Sequence, residues 1–293
     1  MSTLLQELSE STKSLVGSVR SSVVCVGEGK ARPRTGVVYA PGRVVTLAMA
    51  AEVGETVPVD GPDGRLEATV RGFDPTSGVA VLDAPSLESP IERMTDAPAV
   101  GELAVEVAAP IAGGHEARLS MIRCVGGPTR LPGGRRIDTY FQTDASRFRG
   151  FAGAVLVRAD GTAVGISVPG GRRDESFILP MDQLLAIVER VESGEAIGSA
   201  FLGVKTSPVE LPKPVEGHAH GLIVTGVEEE SPAARAGLLV GDFLIAIDGD
   251  ALHEVDSLYD ALQGRTRGSK MEVTLVSAAS VLETRTVEVE LRS

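Results

Sequence analysis

The period of the hydrophobic positions changes several times along the chain. Leu4, Leu5, Leu8, Leu15, Val16 and Val19 recur at helical spacing and predict an amphipathic helix over residues 1–22. From 23 to 180 the apolar runs are short or alternating, as in "SSVVCVGEG", "TGVVYAPGRVVTLAMA", "LEATVRGFD" and "GVAVLDA", with Gly, Pro and Asp between them. After about residue 105 the texture repeats in "AVEVAAP", "ARLSMIRCVG", "DTYFQTD", "GAVLVRADGTAVGISV" and "ESFILP". Many short strands at close spacing predict a barrel or sandwich, and two successive blocks of similar size predict two barrels. The helical period returns in "MDQLLAIVERVESGEAIG", where Met181, Leu184, Leu185, Ile187, Val188 and Val191 fall on one face. Pro180 before this run and Gly194 within its end are start and stop signals, so 181–198 reads as a connecting helix.

Residues 199–293 form a third unit of mixed α and β character. In "SPAARAGLLVGDFLIAIDGDAL", Ser231 is a helix cap, Pro232 suits the first helical position, and Gly237 suits a left-handed end. Gly241 and Asp242 turn the chain into the strand "FLIAIDG", and "VDSLYDALQ" reads as a helix with Asp256 in its first turn. Val255, Tyr259 and Leu262 lie on one side of that helix.

Composition narrows the function classes. The 293 residues are enough for two or three small domains, and 34 glycines with 17 prolines suit short strands joined by turns. The net charge of -12 repels phosphate backbones and argues against nucleic-acid binding. The local basic run Arg130, Arg135 and Arg136 in "TRLPGGRR" reads as a solvated loop. Cys25 and Cys124 sit in separate apolar runs and read as buried thiols. The histidines include one close pair, His218 and His220, which is too few ligands for a zinc site, so no metal or cofactor is expected. No apolar stretch reaches the length of a membrane span. Glu7, Glu10 and Lys13 interrupt the N-terminal run where a signal peptide needs an apolar core, so a cytoplasmic protein is expected.

One loop raises a question of chemistry. In "QTDASRFRGFAGAVLVRADGTAVGIS" the turn Gly150-Phe151-Ala152-Gly153 precedes a strand, a turn and a second strand. A Gly-x-nucleophile-Gly turn before a buried hairpin often presents a catalytic serine, and here alanine holds that position.

The third unit resembles a PDZ domain of the bacterial type, on "FLGV", "GLIVTGVEEESPAARAGLLVGDFLIAIDG" and "SLYDAL" in that order. That resemblance implies a groove for extended peptides, which add to a sheet edge as a further strand. It assigns Phe201, Leu202, Gly203 and Val204 to the carboxylate-binding loop and Val255, Tyr259 and Leu262 to the side-chain pocket. Leu202 and Val204 suit the domain core equally well.

The order of two barrels, helix and PDZ unit resembles the HtrA/DegP family of trypsin-like serine proteases. "RTGVVYAPGRVVTLAMA" resembles its stretch ending in Thr-Asn-Ala-His, and "DPTSGVAVLDA" its Asp-x-x-x-Asp-Leu-Ala-Val-Leu stretch. The loop sequence resembles its Gln-Thr-Asp-Ala followed by Gly-Asn-Ser-Gly-Gly-Pro-Leu. The resemblance implies a mainly β fold: a trypsin-like double β-barrel over 23–180, followed by an α+β PDZ domain over 199–293. It also puts Met49 at the general-base position, Gly78 at the orienting-acid position and Ala152 at the nucleophile position. Methionine takes up no proton at neutral pH, glycine orients nothing and alanine supplies no nucleophile, so no catalytic residue is expected. Ser77, Ser146 and Ser167 lie near these loops, but the first histidine is His115, so a replacement triad is not expected. Gly150 and Ala152 retain backbone N–H groups of oxyanion-hole type. Ala154 and Val155 replace the usual Gly-Pro, and Phe148 and Phe151 add bulk to the loop, where Phe151 reads as a plug or, alternatively, a surface patch.

The expected function is therefore that of a bacterial pseudoprotease in protein quality control: a scaffold or adaptor that binds protein C-termini or extended peptides through its PDZ groove. A serine endopeptidase of divergent mechanism and a regulatory subunit of an active HtrA-type protease remain open. Relatives commonly trimerise through aromatic residues near the start of the protease unit, whereas the first aromatic here is Tyr39. The N-terminal helix offers a different homo-oligomer contact through Leu4, Leu8 and Leu15.

Overall fold

The structure is a computed structural model. It describes residues 3–27, 33–47, 53–74, 76–94, 96–111, 113–131, 134–145, 148, 150–169, 176–194, 202–215, 217–262, 265, 268–277 and 284–291. The chain forms two compact units, Met1–Ala196 and Ile197–Ser293.

In the first unit, helix α1 (Leu4–Val19) starts at a capping box: the Thr3 hydroxyl accepts from Gln6 N–H, and the Gln6 side chain accepts from Thr3 N–H. Its apolar stripe has two environments. Leu15, Val16 and Val19 pack against the barrel core, whereas Leu4, Leu5 and Leu8 are exposed. Leu15 is half-buried against the core, whereas Leu4 and Leu8 of the expected oligomer contact face solvent.

Six strands close the first barrel: β1 (Val23–Val26), β2 (Arg34–Ala40), β3 (Arg43–Leu47), β4 (Thr56–Gly61), β5 (Gly64–Asp74) and β6 (Val79–Asp83), in the order β1-β2-β3-β6-β5-β4. The second barrel is built from β7 (Leu103–Ile111), β8 (Gly114–Gly126), β11 (Tyr140–Thr143), β12 (Val155–Arg158), β13 (Ala163–Pro169) and β14 (Ser176–Pro180). Its order is β11-β14-β13-β12-β7-β8, and a small hairpin of β9 (Thr129–Arg130) and β10 (Arg136–Ile137) is inserted after β8.

Helix α2 (Met181–Glu192) begins at Pro180 and packs on β5, β6, β13 and β14, so it bridges both barrels. Its apolar face, Met181, Leu184, Ile187, Val188 and Val191, joins one core cluster with residues of both barrels. Glu192 at its end is held by Tyr39 Oη at 3.0 Å and by the guanidiniums of Arg43 and Arg71. Burial and the neighbouring Glu192 charge push the Tyr39 phenol well above its usual value, although Arg43 and Arg71 oppose this.

The second unit is a sheet in the order β15 (Val204–Val215), β16 (His218–Val227), β17 (Phe243–Ile247), β19 (Lys270–Val276) and β20 (Thr284–Glu290), with β18 (Asp250–Ala251) paired to β17. Helix α3 (Pro232–Arg235) starts where Ser231 Oγ accepts from Ala234 N–H at 3.1 Å. Helix α4 (Val255–Leu262) packs beside β15, and Leu222, Leu244, Leu258 and Val273 are among the buried residues of the core.

Candidate functional site

In the first unit, strand register brings together the segments singled out in the sequence. Leu47, at the end of β3, pairs with Val79, which directly follows Gly78. Met49 lies two residues beyond Leu47, outside the described residues. Ala152 reaches the same barrel end through Thr35, whose N–H donates to Ala152 O at 3.3 Å. Thr46 Oγ1 in β3 donates to Thr35 O at 2.9 Å, which completes the connection.

Thr35 is fully buried and joins the two barrels. Its hydroxyl donates to Gly150 O at 2.8 Å and accepts from Ala109 N–H of β7 at 2.9 Å. The loop it holds is shaped by glycine: Gly150 has φ +75° and Gly153 φ +84°. A Cβ at Gly153 would lie 2.2 Å from Thr35 O, so no side chain fits there. Phe151 N–H donates to Phe148 O at 3.2 Å, Gly153 N–H to Ser167 O at 2.9 Å and Ala154 N–H to Phe151 O at 2.8 Å. The Gly150 and Ala152 N–H groups, the pair expected from the sequence, have no acceptor among the described residues. Phe148 and Phe151 are half-buried with ring centroids 6.4 Å apart, and the Arg118 guanidinium lies 4.5 Å from the Phe148 centroid.

Gly78 has φ +75° and closes a tight loop by donating to Asp74 O at 2.8 Å. That loop is built around the wholly buried carboxylate of Asp74. Ser77 Oγ donates to Asp74 at 2.6 Å, Thr76 Oγ1 at 2.7 Å and Arg135 Nη2 at 2.9 Å. Burial alone would raise this carboxyl, but the two hydroxyls and the guanidinium together hold it below the ordinary aspartate value. Arg135 is only 14 % exposed, which corrects its reading as part of a solvated loop: the hairpin β9–β10 folds back so that this guanidinium neutralises Asp74.

A second buried carboxylate was not singled out in the sequence. Glu106 in β7 is 4 % exposed. It accepts from Thr143 Oγ1 at 2.5 Å and Ser167 Oγ at 3.3 Å. Burial raises its carboxyl above the glutamate value against the pull of both hydroxyls and Arg118, while Asp144 adds to the rise. Ser77 and Ser167 thus both donate to carboxylates, and Ser146 lies outside the described residues. His115 Nε2 is 2.9 Å from Val23 O. Cys25 is buried, but Cys124 in β8 is only half-buried, a correction to its expected burial, and neither is in a disulfide. Among the described residues no group of three or more His, Cys, Asp or Glu is placed to hold a metal ion, and no helix is long and apolar enough to cross a membrane.

In the second unit β15 is an edge strand. Phe201 lies outside the described residues. Leu202 is buried in the core and its carbonyl accepts from Ala233 N–H at 2.9 Å, while Gly203 O accepts from Glu228 N–H at 2.9 Å. C=O and N–H of one trans peptide point in opposite directions, so the Gly203 and Val204 N–H groups point away from the 228–233 loop. Gly203 has φ +82°, the left-handed region that lets the chain turn here. Val204, Val255 and Leu262 are half-buried against the core, and Tyr259 is half-buried as well. Leu258, absent from the sequence reading, is the fully buried anchor of α4; its i+3 spacing from Val255 carried the signal.

Two closed six-stranded antiparallel barrels bridged by a helix, followed by a sheet with a helix beside its edge strand, define a trypsin-like double barrel joined to a PDZ domain. The PDZ domain model matches residues 223–276. A probable periplasmic serine endoprotease DegP-like from Pseudomonas fulva is 27% identical over 231 residues, covering 74% of this chain and 47% of that protein. The mitochondrial serine protease HTRA2 of Bos taurus is 28% identical over 252 residues, covering 79% and 55%. The chain thus spans about half the length of the curated relatives it matches. Among solved structures, the HtrA-type protease AlgW with decapeptide superposes with a TM-score of 0.58 at 20% identity, covering 96% of this chain and 98% of that one. The serine endoprotease from Yersinia pestis gives 0.57 at 21%, covering 96% and 97%. The chain is thus similar to proteases of the HtrA/DegP family in sequence over about three quarters of its length, and it shares their fold.

Proposed function

We propose that the protein is a non-catalytic HtrA-type pseudoprotease that binds protein C-termini or extended peptides through its PDZ groove, as a scaffold or adaptor. The observation that carries the binding half is the edge of β15: Gly203 and Val204 N–H groups turned outward, beside the half-buried Val255, Tyr259 and Leu262 of α4. Donors at that turn suit a terminal carboxylate, and an open strand edge suits a peptide backbone. The AlgW structures solved with a decapeptide and a tripeptide agree with such a ligand class.

The non-catalytic half rests on the residues themselves. Methionine, glycine and alanine stand where the family resemblance expects base, orienting acid and nucleophile. Ser77 and Ser167 are engaged with Asp74 and Glu106. Cytoplasmic residence belongs to the same reading, supported by two cysteines that stay thiols. The DegP-like relatives are described as periplasmic, so fractionation of the host decides.

The test has two arms on the full chain. In fluorescence polarisation, a degenerate library of free C-terminal peptides should bind wild type, lose affinity as C-terminal amides, and lose it again on Gly203→Asp. A fluorophosphonate probe should label no serine. Labelling, with casein cleavage abolished by mutating the labelled serine, would establish a divergent serine endopeptidase instead.

A further inference from the structure

The ladder of β15 on β16 is interrupted twice, with register shifts between Lys205 and Thr206 and between Glu210 and Val215. Gly203 O accepts from Glu228 N–H at 2.9 Å, so the Val204 N–H faces the open edge. Lys205 O accepts from Thr225 Oγ1 of β16 at 3.1 Å, so the Thr206 N–H also faces outward. From Thr206 to Glu210 the pairing with β16 runs without a shift, from Thr206 opposite Val224 to Glu210 opposite His220. Because N–H groups alternate sides along a strand, the next outward position is residue 208. It is Pro208, exposed and without an N–H. After Glu210 the register breaks before Val215, and that stretch contains Pro212 and Pro214, which add no donors.

An added peptide runs antiparallel to β15 with its carboxylate at the 203–204 turn. Its last residue then lies beside Val204 and its third-from-last residue beside Thr206, where both backbone groups pair. Its fifth-from-last residue would bring a carbonyl to Pro208. There it finds a ring methylene in place of a donor.

We propose that Pro208 limits the ligand to a free C-terminal tail read over about three residues, and that longer strand-like pairing along β15 is excluded. The inference rests on the peptide-binding reading above and narrows it from extended segments to short tails. Pro208 is a positioning and specificity residue: it touches the ligand's backbone only by failing to bond it. The same proline protects an otherwise open sheet edge from pairing with other chains.

The test measures affinities of the full chain for fluorescein-labelled degenerate peptides of three, five and eight residues, each with a free carboxylate and a fixed terminal valine. Wild type should bind all three lengths within about twofold. Pro208→Thr, which restores an N–H on an exposed strand position, should tighten the eight-residue pool about tenfold, as one restored backbone bond implies, and leave the three-residue pool unchanged. Pro208→Val provides the same donor without a hydroxyl and should match it; matching thermal melts show that both variants fold. A wild-type affinity that climbs tenfold or more from three to eight residues would overturn the inference while leaving the groove intact. So would unchanged binding of the long pool by both variants. Failure of every length to bind wild type and both variants would overturn the groove reading itself, and this inference with it.

Discussion

Arg135 and Asp74 are 61 residues apart in the chain, and a single Asp74 oxygen takes both Arg135 Nε at 3.1 Å and Nη2 at 2.9 Å. Removing one partner of such a pair leaves the other charge buried and uncompensated, at about 3–5 kcal/mol. Arg135→Met should therefore destabilise the first unit by that amount in urea unfolding, and the double variant Asp74→Asn, Arg135→Met by clearly less. Asp74 also sets a pH dependence. Its folded carboxyl titrates below the unfolded value, so its contribution is present above about pH 3.9 and is lost as pH falls through the lowered value. Urea midpoints taken below pH 4 should show this loss in wild type and not in the double variant.

Glu106 should act with the opposite sign. Its folded carboxyl is raised by burial, so its contribution is full below about pH 4.3 and is lost as pH rises through the raised value. The charged and titratable groups around it are Arg118 on β8, Asp144 after β11, and Glu116, which pairs with Arg118 at 3.0 Å. Glu106→Gln keeps the side-chain shape and an acceptor for Thr143 or Ser167. Its melting temperature should exceed that of wild type at pH 8, and the difference should shrink toward pH 4.

Ala152→Ser alone should restore no peptidase activity. A hydroxyl without a base gains little, and losing one triad member already costs about 10⁴ to 10⁶ in turnover. Casein turnover by this variant should stay at the wild-type background, and its fluorophosphonate labelling should remain blank. Measurable turnover from this one change would mean that a base is already in place.

Thr35→Val should loosen the loop around Ala152. The change is nearly isosteric but removes the hydroxyl shared by Gly150 O and Ala109 N–H. A buried group left unsatisfied costs about 1–3 kcal/mol, so the melting temperature should fall. Limited proteolysis should find its first new cuts between residues 144 and 153.

The sequence made the helices and their ends legible because caps act locally: Ser231, Pro180 and Gly237 each do their work within a few residues. It also made the alternation of strands legible, and hence two barrels. Glu106 escaped because β7 is buried on both faces. Between Val105 and Val107 a glutamate reads as an outward residue, whereas here it points inward to two hydroxyls. Arg135 escaped because its partner is far along the chain and the run "LPGGRR" has the composition of a solvated loop. The groove residues of α4 were visible from i, i+4 spacing, but the limiting role of Pro208 required the register of β15 on β16.

The joint at Thr35 has a consequence for how this fold can change over time. The Gly150–Gly153 loop of the second barrel supplies the carbonyls that hold Thr35 of the first, and Gly153 has no room for a side chain. Variants that distort the loop thus weaken the seam between the barrels whether or not a reaction takes place there. Selection for a stable chain is enough to keep the shape of this loop, and it is indifferent to the side chain at position 152.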